Sequence, residues 1–104
     1  MRWAEVAVRD LEEIVAYIAL DSPADAERVL DRLEQRAATL ESSPARGRVV
    51  PELARFGMRT WRELLVKPYR LFYRLEGDTV TVLALFDGRR DLEDLLLERL
   101  VRSG

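Results

Sequence analysis

Residues 60–86 read TWRELLVKPYRLFYRLEGDTVTVLALF, and this stretch decides the fold class. It contains three runs rich in β-branched and aromatic residues, which are the residue types that strands favour. Glu76-Gly77-Asp78 separates the second run from the third as a hairpin turn, and Lys67-Pro68 separates the first run from the second. The sequence therefore predicts three antiparallel strands at 60–67, 69–75 and 79–86.

A two-residue turn at Lys67-Pro68 would fix the register of the first two strands, with Leu65 opposite Arg70. Strand side chains alternate between faces, so the more apolar face of this pair is expected to meet the helices. That face carries Arg62, Leu64, Val66, Tyr69, Leu71 and Tyr73. The other face is expected to stay open to solvent. It carries Trp61, Glu63, Leu65, Arg70, Phe72 and Arg74.

The open face has two interpretations. In this register Glu63 lies diagonal to both Arg70 and Arg74, as in a solvated, salt-bridged surface. Trp61 is also placed to stack on Arg74. Exposed aromatic side chains beside arginines equally suit a surface that binds nucleic acid or protein.

Upstream of the strands, apolar residues recur at helical spacing and predict a helical hairpin. Its helices cover about residues 8–20 and 23–41, and Ser22 with Pro23 forms the start signal of the second helix. Residues 1–6 are interpreted as a short strand. The hairpin still needs a surface to cover, and the sheet provides it.

The rest of the chain is assigned as irregular at 47–57 and as a final helix at about 90–101. The final helix would contribute Leu92, Leu95, Leu96, Leu97 and Leu100. Together, the elements predict an α+β fold in one domain spanning residues 1–104, with an N-terminal strand, a helical hairpin packed on an antiparallel sheet of three further strands, and a short C-terminal helix.

Composition excludes several classes of chemistry. The 104 residues include no cysteine and no histidine, which rules out disulfides, thiol and imidazole catalysis, and the usual zinc sites. The longest apolar run, Ile14 to Leu20, is far shorter than a membrane span of about 20 residues. We therefore expect a cytoplasmic protein with no cofactor, no metal and no membrane contact.

Charge is distributed unevenly along the chain. Residues 1–45 carry ten acids and five bases, whereas residues 46–90 carry ten bases and five acids. All bases except Lys67 are arginines, whose planar fork suits phosphates and carboxylates. The basic middle third indicates either an anionic partner or pairing with acids of the same chain. The same choice applies to Arg89 and Arg90, which follow the last strand.

Several segments, taken in order, resemble the RelE/ParE superfamily of toxins, with the closer likeness to the ParE branch. They cover nearly the whole chain, and the ordered set carries the resemblance rather than any single motif. They are Trp3, residues 10–18 (DLEEIVAYI), 22–26 (SPADA), 47–53 (GRVVPEL), 62–64 (REL), 69–74 (YRLFYR) and 87–92 (DGRRDL).

The resemblance implies the toxin of a type II toxin–antitoxin module, held inactive by a cognate antitoxin. RelE-like members cleave messenger RNA on the ribosome, whereas ParE-like members are associated with poisoning DNA gyrase. Arg70 and Arg90 match arginines of the ribonucleases, but the lysine positions fall at residues 61–63, where one base at most survives. The tyrosine position falls near Leu96, and many relatives have histidine where Asp87 stands. A ribonuclease needs a general acid or base, and this chain offers no good candidate.

Three functions follow from this comparison. The first is a ParE-like toxin that binds a protein target without catalysis, and the second is a ribosome-dependent ribonuclease that uses Arg62, Arg70 and Arg90 on messenger RNA. The third is a degenerate member that only binds its antitoxin. Candidate residues for binding a target or an antitoxin are Tyr17, Trp61, Arg70, Phe72, Arg74, Arg89 and Arg90.

Overall fold

The structure is a computed structural model, and it describes residues 1–89 together with Asp91, Glu93, Asp94, Leu97, Arg99 and Val101. A 3₁₀ turn at Thr39–Glu41 follows the second helix. The remaining elements, in chain order, are β1 (Arg2–Trp3), α1 (Glu5–Ala19), α2 (Pro23–Ala38), β2 (Arg48–Val49), α3 (Pro51–Ala54), β3 (Trp61–Val66), β4 (Tyr69–Glu76) and β5 (Thr79–Asp87).

The strands form one sheet in the order β1-β5-β4-β3-β2. β1 runs parallel to β5, and every other pairing is antiparallel. The α+β architecture is confirmed, although the sheet has five strands where four were predicted. The additional strand is β2, whose two residues are too few to show the alternation that identifies a strand in a sequence.

The predicted register of β3 and β4 is confirmed. Leu65 lies opposite Arg70 and Trp61 opposite Arg74 across the Lys67-Pro68 turn. The face predicted to meet the helices does so, and it forms the larger apolar cluster. This cluster includes Ala7, Leu33, Ala37, Leu40, Leu64, Val66, Leu71, Tyr73, Val80, Val82 and Leu85.

A β-bulge in β5 produces a second buried cluster on the other face of the sheet. The register shifts between Phe72 and Tyr73, which pair with Ala84 and Val82, so that Leu83 is the extra residue. The shift turns Ala84 and Phe86 away from the helix layer. They pack there with Val50, Leu53, Trp61 and Phe72.

The expectation that Trp61 and Phe72 lie on an open face is therefore wrong. Trp61 is 6% exposed and Phe72 is 0% exposed. Residues that were assigned to irregular chain cover them, because Pro51 starts α3 and brings Leu53 over the sheet. The outer face of the sheet is thus a second core.

The helical hairpin matches the prediction apart from its first turn. α1 begins at Glu5 rather than near Val8, because the amide of Ala4 donates to the Val82 carbonyl oxygen and the chain turns directly from β1 into the helix. At the start of α2, the Ser22 side chain accepts from the amide of Asp25 at 3.2 Å. Within the described residues, no helix has both the length and the apolar character needed to cross a membrane.

Half of the residues in the predicted C-terminal helix, 90–101, lie outside those described. Glu93, Asp94, Leu97, Arg99 and Val101 have helical backbone. The predictions for Arg90, Leu92, Leu95, Leu96 and Leu100 lie outside the described residues.

Tyr73 forms two hydrogen bonds with the segment 44–47, which leads into β2. Its buried hydroxyl donates to the Pro44 carbonyl oxygen at 2.7 Å and accepts from the Gly47 amide at 3.0 Å. A Cβ atom on Gly47 would lie 2.6 Å from this hydroxyl and from the Glu63 carbonyl oxygen, so only glycine allows the approach. The Tyr73 phenol therefore holds both ends of the segment 44–47 to the sheet.

Removing the Tyr73 hydroxyl should destabilise the fold more than removing that of Tyr69. We expect Tyr73→Phe to lower the free energy of unfolding by about 1–3 kcal/mol, because the buried Gly47 amide loses its acceptor. Tyr69→Phe is the matched control, since its hydroxyl makes no hydrogen bond within the described part of the chain. Urea unfolding at neutral pH measures both values. Equal losses in the two variants would contradict this account.

Candidate functional site

A buried carboxylate organises the outer face of the sheet. Glu63 is the one fully buried charged residue within the described part of the chain. Its Oε1 accepts from Nε of Arg48 at 2.6 Å, and its Oε2 accepts from Nε of Arg70 at 2.7 Å. β2, β3 and β4 thus each contribute one charged side chain to the same point.

Arg70 extends this network to α3. Its Nη1 and Nη2 donate to the two carboxylate oxygens of Glu52 at 2.8 and 2.9 Å. The guanidinium carbon also lies 5.1 Å from the centre of the Phe72 ring. Only 12% of the Arg70 side chain is exposed, so the guanidinium is held by two carboxylates and an aromatic ring.

Both partners of this contact stay ionised at neutral pH. Burial lowers the pKa of Arg70, but its hydrogen bonds with Glu52 and Glu63 more than compensate and raise the pKa above its ordinary value. The hydrogen bonds from Arg70 hold the pKa of Glu52 below its usual range, although burial acts in the opposite direction. The network joins two arginines, Arg48 and Arg70, to two glutamates, Glu52 and Glu63, so their formal charges cancel.

Two of the three arginines proposed for ribonuclease chemistry, Arg62 and Arg70, lie on opposite faces of the sheet. Arg62 pairs across the sheet with Tyr73 and so lies on the helix side, opposite Arg70. Its Nη1 donates to the Gly47 carbonyl oxygen at 2.7 Å. Arg90 lies outside the described residues. Arg74, another binding candidate, forms an ion pair with Glu76.

A groove between α1 and the end of β5 brings two other predicted residues together. Its volume is about 620 Å³, and its lining includes Tyr17 and Arg89. Tyr17 is 75% exposed. Arg89 is exposed as well, and it donates to Asp87 at 2.9 and 2.6 Å, which is the intrachain pairing that the sequence left open.

Asp10 and Tyr69 also line this groove and were missed by sequence reasoning. Burial raises the pKa of the Tyr69 phenol, and the nearby negative charge of Asp87 adds to the rise. Tyr69 was assigned to the helix-facing side of β4, and Asp10 was not singled out. No signal in the sequence shows that they meet, because the contact depends on where α1 crosses the sheet.

Asp10 closes the edge of β5 beyond the end of β1. Its Oδ2 accepts from the Leu85 amide at 3.1 Å, where a neighbouring strand would otherwise supply a carbonyl oxygen. Arg99 holds the same carboxylate at 3.1 and 3.2 Å, and its guanidinium carbon lies 5.3 Å from the centre of the Phe86 ring. A side chain thus satisfies the sheet edge that borders the groove.

Comparison with known proteins identifies the family to which the chain belongs. Residues 1–92 match the ParE toxin of the type II toxin–antitoxin system parDE. The chain belongs to the ParE toxin family. The resemblance to the ParE branch is therefore confirmed, and the chain is a ParE-type toxin of a type II toxin–antitoxin system.

Two relatives of this ParE-family chain show how far the similarity extends. Toxin ParE3 of Caulobacter vibrioides is 40% identical over 63 residues, which cover 61% of this chain and 59% of that protein. The match thus spans about three fifths of the length of Toxin ParE3. Putative toxin Y4kP of Sinorhizobium fredii is 36% identical over 80 residues, which cover 75% of this chain and 77% of that protein.

A solved structure supports the fold of the ParE-family chain. The chromosomal ParDE TA system from P. aeruginosa contains a chain that superposes with a TM-score of 0.66 at 21% sequence identity. The superposition covers 83% of this chain and 91% of that chain. At this level of identity the likeness establishes the fold and leaves the site residues to be argued from their own geometry.

Glu63 should contribute far more to stability than an exposed glutamate with one arginine partner. We expect Glu63→Gln to lower the free energy of unfolding by about 3 kcal/mol, because Arg48 and the buried Arg70 lose a shared anion. Glu76→Gln is the control, since Glu76 pairs with Arg74 at the surface and such pairs contribute about 0–1 kcal/mol. Chemical unfolding of both variants checks the difference, and a loss below 1 kcal/mol in Glu63→Gln would disprove the role of Glu63.

Proposed function

We propose that this ParE-family toxin acts by binding DNA gyrase, and that it does not cleave RNA. The observation that argues against RNA cleavage is the bonding of Arg70, whose three guanidinium nitrogens each donate to Glu52 or Glu63. A phosphate would have to displace two ionised carboxylates from a guanidinium that is mostly buried. Gyrase is the target because the family implies it, and cytoplasmic action follows from that target.

The chain also lacks the proton-transfer groups that RNA cleavage requires. It contains no histidine. Tyr73 has its hydroxyl engaged by Pro44 and Gly47, and burial raises the pKa of both Tyr69 and Tyr73. A phenol with a raised pKa is a poor general base at neutral pH. These features support a toxin that works through contact rather than catalysis.

We further propose that a cognate antitoxin neutralises the toxin at the groove between α1 and β5. Tyr17 offers an exposed aromatic anchor there, and Leu20, one turn further along the chain, is 82% exposed. Glu13 lines the same groove and has no ion-pair partner within the described part of the chain. A disordered antitoxin segment with apolar residues and a basic residue would fold onto this surface.

The target is tested by following supercoiling and RNA cleavage in parallel. We expect the purified chain to inhibit supercoiling of plasmid DNA by gyrase and to leave messenger RNA intact, both free and on translating ribosomes. Ribosome-dependent cleavage that Arg70→Lys abolishes, while stability is kept, would instead establish the ribonuclease function. An absence of growth arrest on induction, with antitoxin binding retained, would identify a degenerate member.

The antitoxin site is tested by truncating Tyr17. We expect Tyr17→Ala to weaken the complex by about 1–3 kcal/mol, roughly 5- to 150-fold in dissociation constant, because an aromatic anchor is removed. Glu34→Ala on the exposed face of α2 is the control and should change affinity little. Calorimetric titration measures both affinities, and hydrogen exchange should show protection of α1 in the complex. An unchanged affinity in Tyr17→Ala would refute the groove as the antitoxin site.

A further inference from the structure

Three arginines surround β2, the strand at the edge of the sheet opposite β1. We call Arg46, Arg48 and Arg62 the arginine edge. Arg46 and Arg48 are exposed, and Arg62 is partly exposed. The Arg46 side chain makes no ion pair or hydrogen bond within the described part of the chain, and Arg62 donates only to backbone carbonyl oxygens.

Positive charge accumulates at this edge without matching acids. The charges of Arg62 and Arg46 both act on the Tyr73 hydroxyl, where they lower a pKa that burial raises. The Arg62 guanidinium also lies against the backbone on either side of Arg46, because its Nη1 donates to the carbonyl oxygens of Gly47 at 2.7 Å and Ala45 at 3.4 Å. The carboxylate bonded to Arg48 is Glu63, which is buried and shared with Arg70, so it does not neutralise the other two arginines. Arg46 and Arg62 therefore leave this edge with an excess of formal positive charge.

The surroundings of the arginine edge favour phosphate over a protein partner. Protein interfaces depend on aromatic and apolar anchors, and within the described part of the chain neither β2 nor the segment 42–47 before it carries a large exposed hydrophobic side chain. The next one along the chain is Phe56, beyond α3. Interfaces with nucleic acid are polar and positively charged, and arginine recognises phosphate through a planar fork. Residues 42–55 also contain no aromatic residue that could stack on an unpaired base.

We propose that the arginine edge binds the phosphate backbone of duplex DNA. Arg46 and Arg62 contribute contacts to phosphate oxygens. Arg48, which lies with Glu63 on the face of the sheet opposite Arg62, contributes a third across the edge while its Nε remains on Glu63. Binding is independent of base sequence, because backbone contacts carry no sequence information. The choice of DNA over RNA rests on the proposed function, since gyrase acts on DNA and a toxin bound to it lies beside the duplex.

Fluorescence anisotropy with a labelled duplex tests this proposal on the purified full chain. Three phosphate contacts predict that the logarithm of the association constant falls with the logarithm of salt concentration with a slope of about −2.7. Arg46→Gln should make this slope shallower by about 0.9 and weaken binding several-fold at about 50 mM salt. Arg46→Lys, which keeps the charge, should retain most of the affinity.

Arg2→Gln is the matched control, because Arg2 is an exposed arginine on β1 at the opposite edge of the sheet. It should leave both affinity and slope unchanged. The proposal fails if the duplex does not bind, if Arg46→Gln binds as well as the parent chain, or if Arg2→Gln loses as much. Tighter binding of single-stranded DNA, duplex RNA or polyglutamate, with the same dependence on Arg46, would also overturn it.

The supercoiling assay separates this proposal from the proposed function. Gyrase inhibition that persists in Arg46→Gln, together with unchanged DNA binding, would overturn the arginine edge and leave the target intact. Arg46-dependent DNA binding without any gyrase inhibition would support the arginine edge and overturn gyrase as the target.

Discussion

The burial of one carboxylate, Glu63, is the constraint on which the outer half of the molecule depends. A charge removed from water must be paired, and breaking a buried pair costs about 3–5 kcal/mol. Glu63 is paired by Arg48 from β2 and Arg70 from β4, so one point joins the edge strand to the central hairpin. Arg70 carries the network on to Glu52, which holds α3 against the sheet above Phe72.

The sequence predicts local and periodic features of this fold and misses those that need long-range contacts. The register of β3 and β4 follows from a two-residue turn and strict alternation. β2 and α3 have two and four residues, too few for a periodic signal, and their absence from the prediction is why Trp61 and Phe72 were assigned to solvent. Tyr17 was identified as a surface residue, but the groove that it lines depends on the path of α1 over β5, which no local pattern encodes.

The two edges of the sheet carry different side chains, and they therefore present different surfaces. Beyond β1, the carboxylate of Asp10 accepts from the Leu85 amide, and the groove beside it is lined by aromatic and aliphatic side chains and by charged side chains of both signs. At the other edge, β2 is two residues long and flanked by arginines, which discourages pairing with another strand. These surfaces are the reason that we propose a polypeptide with apolar anchors for the first edge and a polyanion for the second.

The network of Arg48, Arg70, Glu52 and Glu63 also bears on which arginines remain available to bind a partner. If Arg70 were available to bind phosphate, Glu63 would keep only the partly exposed Arg48 as a partner, and the outer core would lose its link to α3. The guanidinium of Arg70 can either bind a phosphate or hold Glu52 and Glu63. In the structure it holds the two carboxylates. Two of the side chains proposed for recognition are ones that the core does not need. Arg46 and Tyr17, at opposite edges of the sheet, are such side chains, and substituting them tests binding without disturbing the fold.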